Sequence, residues 1–126
     1  GGGCGRAARD DRVPTLWRSL RRLATLPAKT RIWCGHDITL ENLDFALSVL
    51  PADPAFQSRR RAAQRLNDNG RAAIGAAIIE ECRSNIFLRS GEPALSAALN
   101  LPADTAPETV FAVLRAKKDR FRSPAT

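Results

Sequence analysis

The sequence predicts a mainly helical protein, in which a short α/β segment at residues 1–36 precedes an all-helical domain at residues 37–126. Apolar residues recur at helical spacing along most of the chain. Only one short run, TRIWCG, has the composition of a strand. The length of 126 residues, 44% of them hydrophobic, is that of one ordinary domain with a buried core.

The first helix is predicted in PTLWRSLRRLATLP, because Pro14 suits a helix start and Pro27 ends the pattern. Its apolar face carries Leu16, Trp17, Leu20 and Leu23, and its opposite face carries Arg18, Arg21 and Arg22. The strand TRIWCG follows and stops at Gly35. A helix followed directly by a strand implies that a sheet lies nearby.

The remainder of the chain is predicted to be helical. Thr39 is expected to cap one helix, and Asp53 with Pro54 is expected to open another, which closes at NDNG. Residues 70–79 are expected to form a connection and residues 93–99 a short helix. The segment APETVFAVLRAKKDRF predicts a final amphipathic helix that turns four apolar residues inward: Val110, Phe111, Leu114 and Phe121.

The charge of the chain favours an anionic partner, since 20 Lys and Arg against 13 Asp and Glu give a net charge of +7. Nucleic acid, an acidic membrane surface and a small anionic metabolite all fit that charge. The basic run SRRRAAQR has an ordinary amphipathic pattern without interleaved aromatic residues, so nucleic acid is not expected. The longest uncharged apolar run, residues 72–79, falls far below the roughly 18 residues of a membrane span, so no membrane partner is expected.

Cysteine usage indicates a reducing compartment. Cys4, Cys34 and Cys82 are far apart and form no C-x-x-C pair, which argues against a disulfide framework and a zinc knuckle. No signal peptide opens the chain, so the expected location is the cytoplasm. The sequence contains no methionine and is therefore expected to begin partway through a longer protein. The run GGGCG lacks the phosphate-loop pattern and is interpreted as a flexible turn.

Four stretches follow one another along the chain: GGGCGR, LWRSLRRLATLPAKTRIWCGHDITLENLDFAL, NIFLR and VLRAKKDRF. Together they resemble the C-terminal half of glyoxalase II, the hydroxyacylglutathione hydrolase family of the metallo-β-lactamase superfamily. The most specific pieces are C-G-H-x-x-T followed by N-L-x-F-A, and the closing R-x-x-K-D-x-F. The resemblance implies that residues 1–36 are the last part of a metallo-β-lactamase-type hydrolase domain and that residues 37–126 are the helical C-terminal domain of the family.

The resemblance also implies a reaction, the hydrolysis of the thioester S-D-lactoylglutathione to D-lactate and glutathione in methylglyoxal detoxification. In the complete family enzyme two divalent metal ions, zinc, iron or manganese, supply the nucleophile and polarise the carbonyl. His36 matches the final metal-ligating histidine of the family, and the other ligands have no match in this sequence. One imidazole cannot hold two metal ions, so we expect no bound metal and no catalytic residue in this chain alone.

A glutathione site is implied as well. Arg6 matches the basic residue of the glycine-rich turn, and Arg115 and Lys118 match two cations of the last helix, whose spacing puts both on one face. Ile38 stands where the family has a tyrosine, and residues 7–8 are alanines, Ala7 and Ala8, where an aromatic residue is usual, so two contacts are expected to be lost. Two exposed cations would leave weak, millimolar binding of a glutathione thioester.

Two functions stay open on these grounds. The chain is either a fragment or truncated copy of a glyoxalase II enzyme, inactive by itself, or a non-catalytic helical module that binds an anionic partner. Residues 1–34 are expected to be poorly packed, because their helix and strand match a domain built on a sheet. The oligomeric state is left open by the sequence.

Overall fold

The computed structural model describes residues 1–5 and 10–124. Within that part of the chain the protein is mainly helical, which confirms the predicted fold class, and it has no β-strand. The helices are α1 (Val13–Ala24), α2 (Thr39–Val49), α3 (Pro54–Asp68), α4 (Ile78–Ser84), α5 (Pro93–Ala98) and α6 (Pro107–Arg120). Two 3-10 turns, Asp10–Arg12 and Ile86–Arg89, precede α1 and follow α4.

Helix α1 forms where the sequence predicts it. Leu20 is buried, whereas Leu23, near the end of the same face, is 41% exposed. The arginines of the opposite face, Arg18, Arg21 and Arg22, are all exposed. The helix therefore rests on the rest of the molecule along one narrow apolar stripe.

The strand predicted at TRIWCG is reduced to one antiparallel bridge between Arg31 and Ala77. The N–H of Ile32 donates to the carbonyl of Ala76 over 2.9 Å, and the N–H of Ile78 donates to the carbonyl of Thr30 over 2.8 Å. The pairing cannot extend, because its partner segment enters α4 at Ile78. A ladder needs a partner that stays extended.

Helices α2 and α3 form a packed pair whose starts differ in chemistry. Asp53 caps α3 as predicted, since its carboxylate accepts the N–H groups of Ala55 and Phe56, each over 3.1 Å. Thr39 does not cap α2. It is the first residue of that helix, and its hydroxyl lies 2.9 Å from the carbonyl of Ala73, which ties the helix start to the connection that follows α3.

The core is a run of aromatic rings between α2, α6 and the turn at Ile86–Arg89. Phe45 stacks on Phe87 at a centroid distance of 5.8 Å, and Phe87 meets Phe111 edge-on at 6.1 Å. These three side chains are fully buried. Helix α6 thus turns Val110, Phe111 and Leu114 inward as predicted, while Phe121 packs against the core in a partly buried position.

Helix α4 begins inside a stretch that the sequence predicts as a connection, residues 70–79. In the structure, residues 69–77 connect α3 to α4. Ile78, Glu81 and Asn85 lie at helical spacing and are all buried. Across the described ranges, no helix combines the length and the apolar character that a membrane crossing requires.

Candidate functional site

A cavity of about 430 Å³ lies between residues 1–5, the loop that precedes α2, and the end of α6. We call residues 1–5 the glycine segment. The cavity brings together three of the residues that the sequence singles out: His36, Arg115 and Lys118. Arg6, the fourth, lies outside the described residues, as do Ala7 and Ala8. Ile38, which stands in the tyrosine position of the family pattern, also lines the cavity and is 50% exposed.

The expectation that Arg115 and Lys118 are exposed is wrong, since they are 6% and 7% exposed. The reason is the geometry of α6. Positions 114 and 115 lie three and four residues after 111, and position 118 lies four and three residues after them, so both cations share the inward face with Phe111 and Leu114. The two cations are therefore part of the wall of the cavity and are shielded from solvent.

Both terminal nitrogens of Arg115 donate hydrogen bonds to other groups of the protein. One donates to the Cys4 sulfur over 3.2 Å and to the carbonyl of Gly5, and the other donates to Asp119 over 2.7 Å. The Nε atom is buried without a hydrogen-bond partner among the described residues. The main contact of Arg115 is thus the end of the glycine segment, which its guanidinium holds against α6.

The ammonium group of Lys118 makes fewer hydrogen bonds within the protein than the guanidinium group of Arg115 does. Its Nζ atom lies 3.4 Å from a carboxylate oxygen of Glu41, a long contact for a charge-assisted hydrogen bond. An ammonium group has three donors, and Glu41 is the one partner described for Lys118. A buried cation with donors to spare, at the wall of a cavity, is suited to hold a carboxylate.

The backbone of the glycine segment packs against neighbouring helices, whereas the sequence suggests a flexible turn. Gly2 has a φ of +74°, a conformation that other residues rarely adopt. A Cβ atom at Gly3 would stand 2.6 Å from the side-chain nitrogen of Asn42, so no larger residue fits there without movement of Asn42. The N–H of Gly2 donates to the carboxylate of Glu81 over 3.2 Å. The run of glycines is thus explained by close packing against α2 and α4.

Cys4, between these glycines, is buried. Burial raises the pKa of its thiol, and the neighbouring Arg115 guanidinium offsets only part of that rise. The side chain is therefore a neutral thiol at physiological pH, which is a poor nucleophile. Cys4 acts as a small packed residue of the cavity wall.

His36 lies in the wall of the cavity and is exposed. In the described part of the chain no three His, Cys, Asp or Glu side chains converge in a way that would hold a metal ion. The residues present around His36 therefore do not make a metal site by themselves. Its role as one ligand of a larger centre stays a prediction from the motif.

The carboxylate of Asp37, next to His36, accepts hydrogen bonds from two other parts of the fold. Burial opposes its ionisation, but the N–H of Ala73, together with the hydroxyl and N–H of Thr39, keeps the pKa of this carboxyl below its ordinary value of 3.8. The carboxylate thus fixes the loop after His36 to the connection that follows α3. This contact sets where one wall of the cavity stands.

Sequence reasoning missed the buried polar residues that hold the glycine segment. Glu81 of α4 pairs with Arg59 of α3 over 2.6 Å, and each side chain is only 6% exposed. Asn85 donates to the carbonyl of Gly3, and Asn42 donates to the carbonyl of Gly1. The available signal was the helical spacing of Ile78, Glu81 and Asn85, which places a carboxylate on the inward face of a short helix.

Comparison with known proteins agrees with this architecture. The family model for the hydroxyacylglutathione hydrolase C-terminus matches residues 37–121. The chain is 41% identical over 119 residues to a hydroxyacylglutathione hydrolase of Methylobacterium nodulans, covering 94% of this chain and 46% of that protein. It is 42% identical over 123 residues to one of Ectopseudomonas mendocina, covering 95% of this chain and 48% of that protein.

A hydroxyacylglutathione hydrolase of Methylococcus capsulatus is 39% identical over 121 residues. The chain spans about half the length of the curated relatives that it matches, 46% to 48% for these three. The motifs that suggested the resemblance, the helical architecture and these matches all agree. The chain belongs to the hydroxyacylglutathione hydrolase family and carries its C-terminal domain.

Proposed function

We propose that this chain is the C-terminal portion of a hydroxyacylglutathione hydrolase and supplies part of the site that binds the glutathione half of the thioester S-D-lactoylglutathione. The observation that carries the proposal is Lys118, a cation 7% exposed in the wall of a 430 Å³ cavity, with a single long contact to Glu41. The boundary near residues 36 and 37, between a hydrolase-domain segment and the helical domain, belongs to the same proposal, as does a cytoplasmic location.

The two cations of α6 have different roles in this proposal. Lys118 binds a carboxylate of the glutathione moiety, because its ammonium has donors that the protein leaves unused. Arg115 positions the wall, because its terminal nitrogens are committed to Cys4, Gly5 and Asp119. Arg6 follows the glycine segment directly in sequence, and we propose it as a further contact to the ligand.

Replacement of Lys118 by alanine tests the binding role. We expect the full chain to bind S-methylglutathione in the millimolar range, where the whole binding free energy is about 4 kcal/mol, and we expect Lys118→Ala to lower the affinity about tenfold or more. Titration followed by NMR at low and high salt measures both. Lys117→Ala is the matched control, since Lys117 is the neighbouring lysine of the same helix and is exposed.

The proposal fails if the wild-type chain shows no saturable binding, or if the Lys118 and Lys117 variants bind equally well. Binding should weaken at high salt, because a carboxylate held by an ammonium is screened by ions. Affinity that is indifferent to salt would mean that apolar residues of the cavity, such as Leu20 and Ile78, carry the interaction.

We further propose that the isolated chain does not hydrolyse the thioester. Its single histidine has no cluster of ligand side chains around it in the described residues, and the reaction depends on a metal-activated nucleophile. Turnover of S-D-lactoylglutathione by the purified chain, with zinc, iron or manganese added, should equal the buffer rate. Turnover above that rate that disappears with a chelator would contradict the proposal.

A second candidate function, a non-catalytic module that binds an anionic partner, is favoured by one surface. Arg18, Arg21 and Arg22 are all exposed on α1, away from the cavity. Charge reversal at these three positions should leave S-methylglutathione binding unchanged if the cavity is the functional site. Loss of binding to a polyanion such as heparin, with retained binding in the cavity, would support the second function.

A further inference from the structure

The most deeply buried ion pair of the described chain joins α3 to α4, and its carboxylate residue, Glu81, also lines the cavity. Arg59 of α3 and Glu81 of α4 meet over 2.6 Å, and each side chain is 6% exposed. Arg59 also donates to the Ser84 hydroxyl over 3.1 Å, and Asn85 donates to the second oxygen of Glu81 over 2.9 Å. We call Arg59, Glu81 and Asn85 the polar clasp.

The polar clasp grips the glycine segment by its backbone. Glu81 accepts the N–H of Gly2 over 3.2 Å, and Asn85 donates to the carbonyl of Gly3 over 2.8 Å. A Cβ atom at Gly1 would lie 2.2 Å from a nitrogen of Arg59, so the backbone passes directly over the guanidinium. The clasp thus holds Gly2 and Gly3, while Arg115 of α6 holds Cys4 and Gly5.

The glycine segment explains why a buried pair is retained at this place. Removing two charges from water is costly, and a well-packed apolar pair of similar volume is often as stable or more stable. A second, partly buried pair, Arg89 with Asp53 at 2.6 Å, has a function within the helices because Asp53 also caps α3. Glu81 has no such capping role, and apart from Arg59 and Asn85 its described hydrogen-bond partner is the glycine segment.

The ionisation state of Glu81 suits its role as a hydrogen-bond acceptor for the glycine segment. Burial raises the pKa of its carboxyl, but the hydrogen bond and charge of Arg59, with the Asn85 amide and the Gly2 N–H, bring the pKa below its ordinary value of 4.5. The carboxylate is therefore charged at neutral pH. A charged acceptor binds a backbone N–H about twice as strongly as a neutral acceptor does.

We infer that Glu81 and Arg59 are positioning residues of the glutathione cavity, which act through the glycine segment. The inference rests on the proposed function for the identity of the ligand, although the grip on the glycine segment is independent of it. Without the clasp, Gly2 and Gly3 lose their hydrogen bonds to Glu81 and Asn85, and this part of the cavity wall loses its fixed place.

Cys4 supplies a direct readout of this grip. The protein has three cysteines, so Cys34→Ser with Cys82→Ser leaves Cys4 as the single thiol. Cys4 is 8% exposed, and a thiol reagent reaches it only when the glycine segment lifts. The rate of its reaction with Ellman's reagent therefore measures opening of the segment without any need for glutathione.

Two variants in that background test the inference. Glu81→Gln keeps the size of the side chain and removes its charge, and we expect it to speed Cys4 labelling about tenfold or more by weakening local hydrogen bonds. The pair Arg59→Met with Glu81→Leu replaces the ion pair by apolar side chains, so the fold should keep its stability while the grip is lost. Both variants should also weaken S-methylglutathione binding by a similar factor.

Asp53→Asn is the matched control, because it breaks the partly buried pair with Arg89 and lowers stability away from the glycine segment. It should leave the Cys4 labelling rate and the affinity for S-methylglutathione unchanged under conditions where it is fully folded. A purely structural role for Glu81 would make the two single variants alike in both measurements.

The inference is overturned if the folded Met and Leu double variant labels at the wild-type rate. It is also overturned if that variant labels rapidly but binds S-methylglutathione as tightly as wild type. If wild type binds no S-methylglutathione, the proposed function fails, and the labelling rates alone then decide whether the clasp holds the glycine segment.

Discussion

The region at residues 37–124 and the described part of residues 1–36 are stabilised in different ways. The helical region buries its own aromatic core, with Phe45, Phe87 and Phe111 all fully buried. The leading region buries Cys4 and Leu20 among its apolar residues and leaves Trp33 69% exposed. Its attachment depends on hydrogen bonds to the glycine segment and on the bridge at Arg31.

The two walls of the cavity are therefore held in different ways. The wall formed by α6 is fixed by the aromatic core, whereas the wall formed by the glycine segment is fixed by hydrogen bonds with side chains of other elements. Arg115 and Lys118 project from a helix anchored by Phe111 and Leu114. The facing glycine segment has almost no side chains and is placed by Arg115 and the polar clasp. The expectation that residues 1–34 are poorly packed is therefore wrong for the glycine segment and for Leu20, whereas the exposed Trp33 agrees with it.

The largest effect should follow a change in the aromatic core. Phe87→Ala removes the ring that contacts both Phe45 and Phe111, and it leaves a cavity that the packed helices cannot fill. We expect the free energy of unfolding to fall by about 3–5 kcal/mol. Urea denaturation followed by far-UV circular dichroism measures the change.

Trp33→Ala is the control in the leading region. The side chain is larger than that of Phe87 but 69% exposed, so its removal should cost about 1 kcal/mol or less. Equal losses for the two variants would mean that the two regions share one core and that the contrast between them is false.

The next effect concerns Gly75, which joins the two regions. Its φ is +84°, and a Cβ atom there would stand 2.7 Å from the ring of Trp33. Gly75→Ala should therefore cost the strain of a left-handed backbone, about 1–3 kcal/mol, together with displacement of the tryptophan. Thermal unfolding and the emission of Trp33 report the two parts separately.

Gly70→Ala is the matched variant, because Gly70 has a φ of +70° and a Cβ atom there would have no neighbouring atom within 4 Å. It should cost the backbone strain alone. Adding Trp33→Ala to Gly75→Ala should bring the loss down to that of Gly70→Ala, and a larger residual loss would show that the clash is not with the ring.

Most of the helices could be predicted from sequence, because their signals are local. Asp53 with Pro54 marks the start of α3, and the spacing of Val110, Phe111 and Leu114 marks the inward face of α6. The prediction of a strand at TRIWCG is wrong because strand pairing depends on a partner that is distant in sequence, and the partner segment around Ala77 enters α4 after one bridge. Strand propensity describes a residue in a sheet and does not supply the sheet.

The candidate site could be predicted only in part, for the same physical reason. Motif resemblance pointed to His36, Arg115 and Lys118, and all three line one cavity. Their burial was missed, because exposure depends on what packs against α6. The pairing of Arg59 with Glu81, 22 positions apart, is a long-range contact that no local pattern encodes.

Acid should weaken the attachment of the glycine segment. Because the pKa of Glu81 is below 4.5 in the folded protein, its stabilising effect is complete above pH 4.5 and is lost as the pH falls through the lower folded value. Each unit of lowering corresponds to about 1.4 kcal/mol. Urea midpoints measured from pH 7 to pH 3 should fall less steeply for Glu81→Gln than for wild type.

Some acid dependence should survive in that variant. Hydrogen bonding to Arg89 most of all, against an opposing effect of burial, lowers the pKa of Asp53 from its ordinary value of 3.8. Asp53 therefore loses its stabilising effect as the pH falls below 3.8 through its own folded value, and this loss belongs to the helical region. Identical pH profiles for Glu81→Gln and wild type would show that the clasp does not stabilise the folded chain through its charge.

The smallest effect should come from Arg31, whose side chain donates to the carbonyl of Gly75 over 2.9 Å beside the single bridge. Arg31→Ala should lower the free energy of unfolding by about 1 kcal/mol or less, because the hydrogen bond is partly exposed and water replaces it. The loss should be local. Hydrogen exchange should quicken at the amides of Ile32 and Ile78, which the bridge protects, and should stay unchanged in α2 and α6. Arg22→Ala, at an exposed position of α1, should change neither. Faster exchange throughout α2 in the Arg31 variant would show that the leading region and the helical region unfold as one unit.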